Sequence, residues 1–376
     1  MFRLSALVWR DAASRYWAGL ILVCVPGVYL WREWPPWLVR DALWSLEPAG
    51  LLWTSIAVIA GYGGLSVGPT RQLVASKRLD YWRQQPIGAG YWRVFHGAHL
   101  LLMHAPALGV LSYLFVPAGA AVSVGVPGLV ATATLGPLAW RLGHPLSEPR
   151  TWSMRLPNVA SPSTALARIL GLALVRRRPA ALAGIVGCST MLAILGWVAT
   201  SHVVAAGETT SAAGRGFCAA AVCLGAVAVW TAWPLVRREQ WWLDSMGAGA
   251  AAQRDASVFL AGAVVVPAVL ALLPTALLLG AVQGMGLVCV TASTVVWAGA
   301  VSLQLDADAV RRREPMTRRA GRFVLLLVLP IPLCVWHPLA MVVPCALVWW
   351  RAARTAEQAI AVRRRFELDD LEDDHG

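Results

Sequence analysis

The chain is expected to fold as an all-α, polytopic transmembrane helical bundle, and three observations predict it. Of its 376 residues 58% are hydrophobic and only 14% charged, little more than half the roughly 25% charge of a soluble domain. The apolar residues come in blocks of about twenty, the length a helix needs to cross ~30 Å of hydrocarbon. The basic residues, finally, gather in alternate gaps between those blocks. An ordinary soluble multidomain protein is excluded by the first two observations together.

Met1–Arg15 opens the chain as a basic amphipathic stretch. Arg10, Asp11 and Arg15 precede the first apolar block, and no small-residue cleavage site follows it, so a cleavable signal is not expected. Eight clear spans follow: Tyr16–Trp31, Pro48–Val67, Val94–Val116, Pro117–Trp140, Pro179–Thr200, Phe217–Leu235, Ser257–Val282 and Gly284–Leu305. A last apolar stretch, Phe323–Trp350, contains Pro330, Pro332, Pro338 and Pro344, with Trp336-His337-Pro338 at its midpoint. As one helix it would be about 42 Å long and would strand the following arginines on the far side. A hairpin of two short or tilted helices is therefore expected, which brings the total to about 10 spans. Residues 351–376 then form a tail, in which Arg363-Arg364-Arg365 is followed by an acidic run that reads as solvated and partly disordered.

Orientation follows from the arginines. With the N-terminus inside, only Arg32, Arg40 and Arg215 of the 32 basic residues fall outside. Such a bias over short loops marks the cytoplasmic side. Both termini are expected inside, in the cytoplasmic (inner) membrane, and Trp31, Trp34, Trp37 and Trp44 fit an outer interfacial belt. The net charge of +12 thus reports topology, and no nucleic-acid partner is expected. All seven cysteines lie in apolar runs without CxxC spacing, so neither a disulfide framework nor a zinc site is indicated.

The spans carry a parallel internal repeat. Ala6-Leu7-Val8-Trp9-Arg10, Ala18-Gly19 and Cys24 recur as Ala173-Leu174-Val175-Arg176-Arg177, Ala183-Gly184 and Cys188. Further on, Tyr81-Trp82 with Ile87-Gly88-Ala89-Gly90 recurs as Trp241-Trp242 with Met246-Gly247-Ala248-Gly249. Even span numbers make the copies parallel rather than inverted. The organisation read from this is a first transmembrane repeat over 1–150, a second over 151–350 and the tail.

The missing chemistry is equally informative. The single lysine, Lys77, is followed by Arg78, whereas a phosphate-binding loop needs lysine followed by Ser or Thr. No Asp or Glu falls inside an expected span, which counts against an ion-coupled carrier. There is no HExxH metalloprotease motif. Gly64-Leu65-Ser66-Val67-Gly68 matches the G-x-S-x-G nucleophile pattern but closes a membrane span, where small residues serve helix packing. His96, His99 and His104, with Met103, share one broad face of the third span. They could line a pathway or touch a soft metal, or be ordinary interfacial residues.

The segment Arg71–Arg93 is a basic helix, a large-residue patch, a break at Pro86-Ile87-Gly88 and a restart into span three. Here the sequence resembles the permeases of the type-2 export class of ABC transporters, which begin with an interfacial elbow helix and place a cytoplasmic coupling helix between spans two and three. By that resemblance Met1–Arg15 and Ser161–Arg178 are the elbows, and 71–93 and 237–256 carry the coupling segments. Partner docking then falls to Leu79, Asp80, Tyr81, Trp82, Arg83, Pro86 and Ile87, and in the second copy to Gln240, Trp241, Trp242 and Met246. The second copy lacks the proline, and the acidic-Gly element that often precedes it in the family is missing.

The implied function is a membrane permease subunit of an exporter that moves an amphipathic or lipid-like substrate. The chain itself would be no enzyme and carry no cofactor. ATP and Mg would sit on a separate cytoplasmic ATP-binding subunit, with membrane lipids and a second copy of the chain as further partners. Independently of the family, Trp82 and Trp242 are either interface anchors or headgroup anchors, both common fates of such residues. The competing class is a polytopic membrane enzyme or assembly subunit, for which Asp80, Asp244, Asp306 and Asp308 show no diagnostic spacing.

Overall fold

The computed structural model describes residues 52–58, 60–64, 90–92, 94–95, 97–99, 161–205, 212–236, 248–312 and 316–373. Among these the secondary structure is helical apart from caps and short turns, with no strand. By its contacts the chain divides into two compact units, Met1–Ser153 and Met154–Gly376. In the first, Leu52–Gly64 is an apolar helix within the expected second span. Helical backbone is present again at residues 90–92, 94–95 and 97–99. The expected spans Tyr16–Trp31 and Pro117–Trp140, and most of Val94–Val116, lie outside the described residues.

The described part of the second unit runs α1 (Pro162–Arg177), α2 (Pro179–Ala205), α3 (Ala212–Cys223), α4 (Gly225–Val236), α5 (Ala250–Leu278), α6 (Gly280–Arg312), α7 (Met316–Val328), α8 (Pro330–Trp336) and α9 (Val342–Asp373). Four helical segments here are long and apolar enough to cross a membrane: Pro179–Val198, Gly214–Val236, Ala250–Leu273 and Gln283–Asp308. They coincide with the four spans expected between residues 179 and 305. The second of them is α3 and α4 in sequence, interrupted by a turn at Leu224.

Local signals explain where helices start and stop. Ser161 caps α1 by accepting from Thr164 N at 3.3 Å, and Pro162 fills the first helical position, where its missing N–H costs nothing. Leu166, Leu170 and Leu174, spaced by four, form one fully buried stripe on a helix packed against α4 and α5. Read as an elbow from sequence, α1 thus keeps its apolar side under protein. At α8, Pro330 again opens the helix, and His337 N returns to Leu333 O at 3.0 Å to close it.

Paired contacts give the direction of each helix. Gly299 meets Val258 and Gly284 meets Ala276, so α5 and α6 are antiparallel. Cys218 reaches Thr291 on α6 (3.2 Å) and Ser302 of α6 reaches Ala226 O (3.0 Å), so α3–α4 and α6 run parallel. Trp297 Nε1 donates to Leu326 O at 3.0 Å, and Gly286 lies against Pro338, so the chain from α7 to the α8–α9 turn descends along α6. Two glycines permit the closest approaches. A Cβ on Gly225 would stand 2.8 Å from Ala261 O, and one on Gly299 2.6 Å from the Val258 backbone.

The surface is distributed as hydrocarbon demands. On α5, Leu260, Ala261, Val264, Val265, Ala268 and Leu272 are buried, while Phe259, Val266, Leu270, Leu273 and Leu277 are exposed. A helix at a water interface would turn a polar face outward, and this one is apolar on both sides. The polar groups instead lie inside. Ser189, Thr200, Ser257, Thr294 and Ser302 are buried, and Thr200, Ser257 and Ser302 return their hydroxyls to the carbonyl one turn back at 2.7–2.8 Å. This satisfies them without water, as a low-dielectric interior requires.

The end of the chain departs from the sequence reading. The tail expected to be partly disordered continues α9 as helix to Asp373. Ala352, Ala356 and Ala359 supply the reason, a buried small-residue stripe on a helix that packs along α6. Both α6 (33 residues) and α9 (32 residues), at about 1.5 Å per residue, outrun a ~30 Å core.

Candidate functional site: the basic end of the second unit

One end of the bundle gathers Arg177, Arg178, Arg254, Arg351 and Arg354, at the α1–α2 junction, the start of α5 and the first half of α9. Arg215, at the start of α3, stands at the opposite end. The basic end is built from the helix termini on either side of the segment 237–249, which contains Gln240, Trp241, Trp242 and Met246, the residues expected from sequence to dock a partner. Those four, like Leu79, Asp80, Tyr81, Trp82, Arg83, Pro86 and Ile87 of the first copy, lie outside the described residues. What the structure describes is how the second loop is rooted.

The root is a buried chain of hydrogen bonds. Trp233 Nε1, near the end of α4, donates to Ser257 Oγ on α5 at 3.0 Å. Ser257 donates onward to Gln253 O at 2.8 Å. Gln253 Nε2 donates to Ala248 O at 3.1 Å, and Gln253 N to Gly249 O at 3.0 Å. Trp233, Gln253, Ser257 and Ala248 are all buried. The two helices that carry the loop are therefore bonded to each other immediately inside it, and the last two residues of the loop are held to the same cluster. Arg177 adds a brace from α1, its Nη1 donating to Leu235 O at 2.8 Å, a helix-terminal carbonyl with no intrahelical partner.

Charged groups surround this root. Arg254 is gripped by Asp255 (2.9 Å) and stacks over Trp349 of α9, 3.7 Å from its ring centroid. Asp306, near the end of α6, is 1% exposed. The sequence flagged it only as an acid without a partner at diagnostic spacing. The Trp233–Ser257–Gln253 chain was missed altogether, because a tryptophan, a serine and a glutamine on two helices carry no spacing signal.

In the first unit only His99 of the three flagged histidines is described. Its Nδ1–H donates to Phe95 O at 2.7 Å and its ring lies 4.2 Å from that of Phe95. Phe95 in turn stacks with Tyr91 and meets Trp92 edge-on, so His99 terminates an aromatic cluster on a helical stretch. Among the described residues no three His, Cys, Asp or Glu come together to hold a metal. At the repeat's glycine pair, Gly90 carries helical backbone and Gly249 stands immediately ahead of α5.

The crevice between the α3–α4 segment, α6 and α7, walled by Cys223, Ala226, Trp297, Phe323 and Leu327, is too narrow for a water molecule. Four membrane-capable segments among the described residues, an apolar outward surface and internally satisfied polar groups define the class: a helical membrane protein. No family model, curated protein or solved structure matches the chain.

Proposed function

We propose that the chain is the membrane permease subunit of an ABC-type exporter, driven by ATP that a separate cytoplasmic subunit hydrolyses, with an amphipathic or lipid-like cargo. One observation carries the reading: the Trp233–Ser257–Gln253–Ala248 chain, which clamps α4 to α5 at the base of the loop 237–249. A partner pressing on Trp241-Trp242 would move two membrane helices as one body instead of flexing a loop. The basic end is then the cytoplasmic end. The about 10 spans, the two parallel repeats and residues 79–87 as a first docking segment belong to the same reading, as does a homodimer as an alternative to one chain forming the pathway.

The test is copurification of the ATP-binding partner at matched membrane levels. Trp82→Ala removes a large aromatic anchor and should weaken the complex by on the order of 2 kcal/mol, with Trp242→Ala having a smaller effect. The double variant should lose nearly the sum, since the two contacts are separate. Normal partner recovery from the double variant would make both tryptophans headgroup anchors and remove the proposal's support. The protein freed of any partner should show no ATP hydrolysis, because Lys77-Arg78 cannot serve a phosphate loop.

A further inference from the structure

We infer that the outer face of α9 is a binding site for one anionic glycerophospholipid, its acyl chain in an apolar groove and its phosphate on Arg351 and Arg354. The groove is a shallow, largely open depression of about 460 Å³ on this face, lined by Val342, Val343, Ala346, Leu347 and Trp350. None of these side chains is buried, and Val343 is 67% exposed. From Val342 to Trp350 the helix rises about 12 Å, close to the depth of one leaflet's hydrocarbon, roughly half of ~30 Å.

What singles out an anionic lipid is the end of the groove. Helical spacing carries the same face from Val343 and Leu347 to Arg351, and from Leu347 and Trp350 to Arg354. Both arginines are exposed, and no carboxylate among the described residues forms an ion pair with either. Arg354 lies over the Trp350 ring, 3.8 Å from its centroid. That stacking holds the guanidinium at the ring's level, where tryptophan marks the headgroup zone, and leaves its edge free for a phosphate. Arg254, by contrast, is already occupied by Asp255 and Trp349. A zwitterionic lipid would fill the groove equally well and also brings a phosphate, but its ammonium group cancels that charge and is repelled by the two guanidiniums, so it gains less there. The inference needs only that α9 stands in a bilayer, so it survives failure of the exporter reading.

The experiment uses the full chain, reconstituted in vesicles of equal phosphatidylglycerol and phosphatidylcholine. The protein is then extracted, and its retained lipid is read by native mass spectrometry. The parent should keep phosphatidylglycerol preferentially. Near a membrane surface each arginine is worth about fivefold in anionic-lipid affinity, so Arg351→Gln/Arg354→Gln should erase roughly tenfold or more of that preference while some lipid is still retained. Ala346→Trp, which fills the groove and leaves both arginines, should lose retained lipid of both kinds. Free glycerol phosphate should not displace the lipid, since it brings no acyl chain. An unchanged headgroup ratio in the arginine variant, or a parent that retains no lipid because protein covers the groove, would overturn the inference. Should Ala346→Trp alter the helix content, the arginine variant, changed only at exposed positions, decides alone.

Discussion

Gly299 and Gly321 show what a single residue decides in this bundle. Both are helical glycines, but a Cβ at Gly299 would run into the Val258 backbone at 2.6 Å, while one at Gly321 would meet nothing within 4 Å. Backbone cannot yield as a flexible side chain can, so Gly299→Ala must push α6 off α5. It should destabilise by about 1–3 kcal/mol in a denaturing-detergent titration. Gly321→Ala should be neutral or stabilising by up to ~1 kcal/mol, the ordinary helix-propensity gain. Arg215 acts by charge instead. Its Nε and Nη2 donate to Cys334 O and Val335 O, both at 2.9 Å, so one guanidinium covers the last carbonyls of α8 against the helix dipole. Arg215→Ala should cost about 1.5–3 kcal/mol in the same titration. Arg215→Lys should recover only part, because an ammonium cannot fork two carbonyls in fixed geometry. The sequence marks Arg215 as one of three outside arginines and says nothing of α8, which lies more than a hundred residues away.

At the scale of elements, α1 was legible as a helix, while its neighbours were not. Ser161-Pro162 gives its start, and the leucines at 166, 170 and 174 give its apolar side. That the stripe faces α4 and α5 rather than lipid depends on where those helices pass, which periodicity does not encode. The consequence is measurable. Leu170→Ala removes a fully buried side chain and should cost about 2–4 kcal/mol. Val175→Ala, on the 53% exposed side, should stay within about 0.5 kcal/mol. The tail departs in backbone only: Arg363–Asp374 reads as charge-rich and solvated, yet α9 runs on as helix to Asp373, with buried alanines ahead of it on a helix that packs along α6. Alanine spaced by three and four is a weak signal alone and a close-packing surface once a second helix lies beside it.

For the whole molecule, orientation is the property that the exporter reading rests on. In a background without native cysteines, Ser245→Cys should be modified by an impermeant thiol reagent only from the cytoplasmic side, and Ser211→Cys only from outside. The reverse pattern would place the proposed docking segments on the wrong face. Membrane class and the four spans from residue 179 to 305 could be read from sequence because they are one-dimensional facts. They depend on how many apolar residues follow one another and which gaps hold arginine. The clamp at the basic end and the latch at Arg215 are pairings between residues on different helices. Spacing along one chain carries no record of which residue on another helix a side chain meets. Only the packing of the second unit brings Trp233 to Ser257, Arg215 to Cys334 and Gly299 to Val258, because those meetings are set by helix crossing and depth. In hydrocarbon, where burying apolar surface gains little, such close contacts and internal hydrogen bonds are what distinguish one bundle from the many the same apolar blocks could form.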